Sequence, residues 1–199
     1  MGFFDEIIDA DWLAASGPPS PDQPWIGPPH DVVPTPLGLE LELVRTDDFL
    51  IWLSGAAVFP CGVSFELQVR WDGNRRVQLP VVPGERGRAG LCLGALSDDG
   101  QRTIAVPRRR QPADPGQARA LVAAPLRARP HQATSEVWMW PLPAMSFTWV
   151  LEWQGQSVRE TRAPFDVSKL SDAAHRARPV WRRATEKGTR CAGAQAIPL

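Results

Sequence analysis

The sequence predicts an all-β domain, an antiparallel β-sandwich, and three observations lead there. Val63, Phe65, Leu67, Val69 and Trp71 alternate with Ser64, Glu66, Gln68 and Arg70, the period of two of a half-buried strand. Phe147, Trp149, Leu151 and Trp153 repeat the pattern against Thr148, Val150 and Glu152. The 21 Pro and 16 Gly among 199 residues favour strands joined by turns over helices.

Taken in chain order, the first element is a short helix. Phe3, Phe4, Ile7, Ile8 and Trp12 fall on one face at helical spacing, with Asp5, Glu6, Asp9 and Asp11 elsewhere, which predicts an amphipathic N-terminal helix within residues 1–16. Residues 17–36 carry Pro18, Pro19, Pro21, Pro24, Pro28, Pro29, Pro34 and Pro36. Such a density argues against regular ladders and predicts an extended polyproline-II linker.

Strands follow. Leu39 to Val44 alternates Leu39, Leu41 and Leu43 with Glu40 and Glu42, and Phe49 to Phe59 comes next. Pro60-Cys61-Gly62 turns the chain into Val63 to Trp71, and Asp72-Gly73-Asn74 ends that strand with residues that tolerate positive φ. Leu91 to Leu96 and Arg102 to Val106 flank Asp98-Asp99-Gly100, a hairpin turn. Pro107 to Gly116 reads as a loop, and Leu121 to Ala124 as a short apolar run of undecided type. Val137 to Trp140, Phe147 to Trp153 and Val158 to Thr161 supply the last strands. After Asp166, a candidate N-cap, Val167, Leu170, Ala174, Ala177 and Trp181 predict a C-terminal helix at about 166–183. The expected organisation is thus a helix at 1–16, a linker at 17–36, a sandwich at 37–183 that includes the C-terminal helix, and a tail at 184–199. The sandwich is expected to have seven to nine strands and to be immunoglobulin-like or related, with a closed β-barrel as the alternative.

Charge narrows the partners. The 22 Lys+Arg balance the 22 Asp+Glu, so no whole-molecule field gathers nucleic acid or anionic lipid. The distribution is uneven all the same. Residues 1–60 hold ten acids against Arg45, and residues 168–199 hold seven cations against Asp172 and Glu186.

The cysteines, Cys61, Cys92 and Cys191, leave one unpaired in any pairing and stand in no metal-ligand spacing. The beginning MGFFDEIIDADWL has neither the basic start nor the long apolar run of a signal peptide. A cytoplasmic location is expected, with no membrane-spanning helix.

The segments LSGAAVFP (Leu53 to Pro60), GALSDDG (Gly94 to Gly100), VWMWPLP (Val137 to Pro143) and LEWQG (Leu151 to Gly155), with a closing Ala/Arg-rich helix, resemble a family of uncharacterised bacterial proteins. The resemblance spans most of residues 39–183. It implies the strand order and no activity.

No pattern of chemistry emerges from the remaining residues. His30, His131 and His175 are far apart and lack acidic neighbours in a shared motif, and Ser54 and Ser97 lack the nucleophile-elbow pattern. Asp98-Asp99-Gly100 has no acid at the twelfth position of a calcium loop. Gly84, Gly87 and Gly90 lack the Lys-Ser/Thr close of a phosphate loop, and Arg108-Arg109-Arg110 reads as a solvated run. No catalytic residue, metal or cofactor is expected.

The expected function is a non-catalytic protein-interaction module. Phe3, Phe4, Ile7, Ile8 and Trp12 are its binding element, because so short a helix persists only when docked, on another protein or a second copy. The alternative is a small-molecule or carbohydrate-binding sandwich that exposes Trp138 and Trp140, two residues apart and so on one strand face.

Overall fold

The computed structural model describes residues 23–73, 77–80, 83, 90–108 and 119–181. Their architecture is mostly β with one helix. β1 (Val32–Val33), β2 (Thr35–Leu37), β3 (Leu41–Arg45), β4 (Phe49–Val58) and β5 (Val63–Trp71) come first. β6 (Leu91–Ser97), β7 (Arg102–Pro107), β8 (Ala120–Ala123), β9 (Arg127–Arg129), β10 (Gln132–Trp140), β11 (Phe147–Trp153) and β12 (Val158–Phe165) follow. α1 (Ser168–Arg176) and β13 (Arg178–Pro179) end the described chain.

Nine strands form one hydrogen-bonded path, β12-β11-β6-β7-β8-β10-β5-β4-β2, and β3 on β4 and β9 on β10 bring the sheet to eleven. The expected sandwich was wholly antiparallel with at most nine strands. The sheet is instead mixed, because β7 and β8 run parallel, with Ala105 opposite Leu121 and Val106 opposite Val122. The path curls upon itself until β3, beyond β4, lies against β11 and β12, and no ladder joins β3 to β12 among the described residues.

Curling puts one strand face inside. Val63, Phe65, Leu67 and Val69 are buried and Trp71 is half-buried, while Phe147, Trp149, Leu151 and Trp153 are all buried. The two halves meet through rings. Phe65 of β5 lies edge-on to Trp149 of β11 at 5.2 Å and to Phe165 of β12 at 5.4 Å, and Phe49 of β4 approaches Trp153 at 5.6 Å. Leu170 and Ala173 of α1 join this core.

Turn chemistry follows the residues. Thr46 Oγ1 accepts from the Phe49 amide at 3.0 Å, bending β3 into β4. At Ser97–Gln101 the Gly100 amide donates to the Ser97 carbonyl at 2.9 Å, Asp99 accepts from the Gln101 amide, and Gly100 has φ of 83°. That positive φ costs glycine nothing, and the Asp-Gly turn is the one expected.

α1 is shorter than the expected 166–183. It stops at Arg176, where Ala177 turns extended (φ −63°, ψ 144°), and Arg178–Pro179 pairs with β1. Pro179 disfavours a helical Arg178 and offers no amide of its own. Asp166 stands one residue before the N-cap position, Val167, and its carboxylate accepts from the Ser168 amide at 2.9 Å and the Ser168 hydroxyl at 2.8 Å.

Of the linker expected at 17–36, the described part lies on the body. Pro36 stands in β2 opposite Ala57 of β4, and β1 pairs with β13, Val32 facing Pro179 and Val33 facing Arg178. Pro36 fits because β2 is an edge strand, where a residue without an amide loses no ladder bond on its outer side.

Candidate functional site

The outer face of the sheet is where function can reside, and it divides into a covered half and an open half. On β10, Trp138 and Trp140 share the outer face, with Trp138 opposite Ser64 of β5 and Val122 of β8. They gather Val32, Phe59, Cys61, Ala120 and Val122 into a second apolar cluster, against which Trp25 packs. The Trp25 and Trp140 rings meet edge-on at 6.0 Å, Phe59 and Trp138 at 5.5 Å, and the Trp138 indole N–H donates to the Pro24 carbonyl at 2.9 Å. Trp138 is therefore 0% exposed and Trp140 7%, so neither presents a ring on which a ligand could stack.

The open half is a groove of about 570 Å³ that crosses the strands from Leu37–Leu39 to Ala124–Pro125. Two irregularities make it. The β4–β5 register slips between Leu53 and Ala56, leaving Ser54 and Gly55 as a bulge with Gly55 at φ of 119°, a conformation L side chains rarely adopt. On the other side Pro125 separates β8 from β9, which pair with different stretches of β10.

Between them Glu66 of β5 stands directly opposite Glu136 of β10. Each carboxylate has a hydroxyl: Ser54 Oγ donates to Glu66 Oε2 at 3.2 Å, and Ser64 Oγ to Glu136 Oε1 at 2.7 Å. Arg108 reaches Glu136 Oε2 at 3.4 Å. The arrangement accepts hydrogen bonds and attracts positive charge. It assembles no metal site, since no group of three or more His, Cys, Asp or Glu able to hold an ion occurs among the described residues.

A second surface lies on the β1·β13 ribbon. Val32 is buried in the covered cluster, whereas its neighbour Val33 and both residues of β13, Arg178 and Pro179, are exposed. The Val180 amide donates to the Asp31 carbonyl at 2.8 Å, continuing the pairing by one step. Val33, Val180 and Trp181 are left exposed, Trp181 to 66%. Arg178, opposite Val33, and Arg176 at the end of α1 are exposed as well.

Phe3, Phe4, Ile7, Ile8 and Trp12 lie outside the described residues, as do Arg109, Arg110, Gly84, Gly87 and Cys191. His30 precedes β1, His131 (φ 63°) stands between β9 and β10, and His175 lies in the last turn of α1. Cys61 and Cys92 are buried and not bridged to each other. Ser97 is buried and accepts from Arg119. Sequence reasoning missed the Glu66–Glu136 pairing and the outward ribbon face, since both depend on strand partners remote in sequence. No helix of the described residues is long and apolar enough to cross a membrane.

No family model, curated protein or solved structure matches the chain.

Proposed function

We propose that this protein is a non-catalytic protein-interaction module that acts in the cytoplasm and binds another protein or a second copy of itself. The observation that carries the reading is the exposure of Val33 in β1 and of Val180 and Trp181 just beyond β13. An exposed tryptophan next to a paired ribbon is a candidate centre for such a contact. The amphipathic segment Phe3, Phe4, Ile7, Ile8 and Trp12 is the second contact element, since a helix that short gains its stability by docking. Deleting residues 1–16 tests the reading. The body should keep its cooperative unfolding and lose the association seen by sedimentation and pull-down. Unchanged association would remove residues 3–12 as the binding element.

A second reading, small-molecule binding, is favoured by the groove at Glu66 and Glu136 rather than by Trp138 and Trp140. Its carboxylates and hydroxyls suit a polyhydroxylated or cationic ligand. Calorimetric titration of simple sugars and of arginine against wild type and Glu66→Gln tests it. Heats that do not depend on Glu66 would exclude the groove.

A further inference from the structure

We propose that the groove on the outer face of the sheet, together with the Trp52 ring beside it, binds a neutral sugar. The inference rests on the small-molecule reading of the groove and deepens it, choosing between its two ligand classes and naming the residues that grip the ligand.

Register makes the site one surface. Trp52 of β4 stands opposite Gln68 of β5, Gln68 opposite Thr134 of β10, and Thr134 opposite Arg127 of β9. Residues directly opposed in antiparallel strands share a face, with Cβ atoms about 5 Å apart, and Thr134 and Arg127 line the groove. The next row of that face is Glu66 opposite Glu136, with Ser54 bonded to Glu66. Successive rows lie about 7 Å apart along the strands, so one small ligand touches both.

The groups on these two rows select the ligand. The half-buried indole of Trp52 offers an apolar plane of the kind on which the C–H face of a sugar ring lies. Arg70 lies over that ring at 5.6 Å, and it comes from the row beyond Gln68, on the side away from the groove. Glu66 accepts from Ser54 on one carboxylate oxygen and keeps the other, while the side chains of Gln68, Thr134 and Arg127 make no hydrogen bond or ion pair among the described residues. Donors and acceptors thus alternate over a short distance. Hydroxyl groups, each both donor and acceptor, satisfy such an array.

Charge decides against the cation. Glu66 and Glu136 are offset by Arg127 in the lining and by Arg108, which is paired with Glu136. A balanced site concentrates neither cations nor anions, and a neutral polyhydroxylated ligand needs no such field. The concavity has its own cause. The bulge at Ser54 and Gly55 and the small side chains of Ala56, Ala57 and Ala124 leave the floor low. At about 570 Å³ the groove falls in the range of roughly 300–1,000 Å³ typical of ligand clefts.

The test uses the full chain. Saturation-transfer NMR is recorded with glucose, galactose, mannose, xylose, cellobiose, maltose and lactose, and calorimetry measures the affinity of those that bind. Arginine and glucuronate serve as the charged probes. The expected result is transfer to at least one neutral sugar and weaker transfer to both charged probes. Trp52→Ala should weaken sugar binding by about tenfold, and Trp52→Phe, which keeps a ring, by much less. Glu66→Gln and Gln68→Ala should each weaken it by about threefold to tenfold. Thermal melts establish that each variant is folded, and if Trp52→Ala is not, the Gln68→Ala and Glu66→Gln losses carry the test.

Absence of transfer to every neutral sugar would overturn the inference. So would sugar binding that is indifferent to Trp52, Gln68 and Glu66, which would put the sugar elsewhere. If arginine binds in a Glu66-dependent manner and no sugar does, the groove stands as a small-molecule site and this inference alone falls. If neither binds, the small-molecule reading falls with it.

Discussion

The indole N–H of Trp138 reaches across the outer face of the sheet to the carbonyl oxygen of Pro24, 2.9 Å away and 114 residues earlier in the chain. That bond fixes the beginning of the described chain to the C-terminal part of β10. The indole of Trp149, on the inner face, has no hydrogen-bond partner among the described residues. Two buried tryptophans thus differ in what their nitrogen does.

The contrast makes a paired prediction. Trp138→Phe loses ring volume and also strands a carbonyl, whereas Trp149→Phe loses similar volume but removes an unsatisfied donor. Trp138→Phe should be the more destabilising by about 1–3 kcal/mol, measured by urea unfolding. Equal losses would mean that the Pro24 contact contributes nothing.

Phe65 should be among the most sensitive positions. It is 1% exposed and meets rings from both β11 and β12, so Phe65→Ala opens a cavity at the junction of the two halves. A loss of about 3–5 kcal/mol is expected in denaturant titration. A loss below about 1 kcal/mol would contradict the packing described.

Glu66 and Glu136 should respond unequally to neutralisation. Directly opposed like charges oppose pairing by about 0.2–1 kcal/mol, so Glu66→Gln should leave stability unchanged or slightly raised and should keep the Ser54 contact. Glu136→Gln relieves the same repulsion but gives up the ion pair with Arg108. It should be the less stable of the two variants, and the gap should narrow in high salt.

Asp166 predicts an acid limb. Hydrogen bonds from the Ser168 amide and then the Ser168 hydroxyl hold its carboxyl below the ordinary value. A carboxyl depressed in the folded state stabilises above the unfolded value of about 3.9 and loses that contribution as pH falls through the folded one. Asp166→Asn should cost stability at neutral pH, and its difference from wild type should vanish below pH ~4, which flattens the acid limb. An unchanged acid limb, followed by circular dichroism of thermally unfolded samples, would contradict it.

How far the sequence could be read depended on what each segment answers to. β5 and β11 match the alternating runs end to end, because one-sided burial writes itself into a period of two. β10 did not, since Val137, Trp138, Met139 and Trp140 are all buried. The continuous apolar run VWMW was the available sign that both faces are covered. Pro36 in β2 and the early end of α1 depend on partners, β4 and β1, that local propensity does not know about. The parallel β7–β8 pair left no local trace for the same reason. Of the groove, the bulge glycine and Pro125 were visible as residues, but the meeting of Glu66 with Glu136 required the register of β5 on β10.

The β1·β13 ribbon has a mechanical meaning. The chain enters β1 at Asp31 and leaves β13 at Val180, and these two residues are joined at one end of the ribbon. Tension applied to the two ends therefore acts across the pairing rather than along it. The ribbon is loaded as a zipper and parts one pair at a time, while the long ladders of β4, β5 and β10 remain shielded until it has opened. Pulled from both sides, such a body would part at the Pro24–Trp138 and Trp25–Trp140 contacts and at the ribbon, uncovering the tryptophan cluster before the core ladders are loaded.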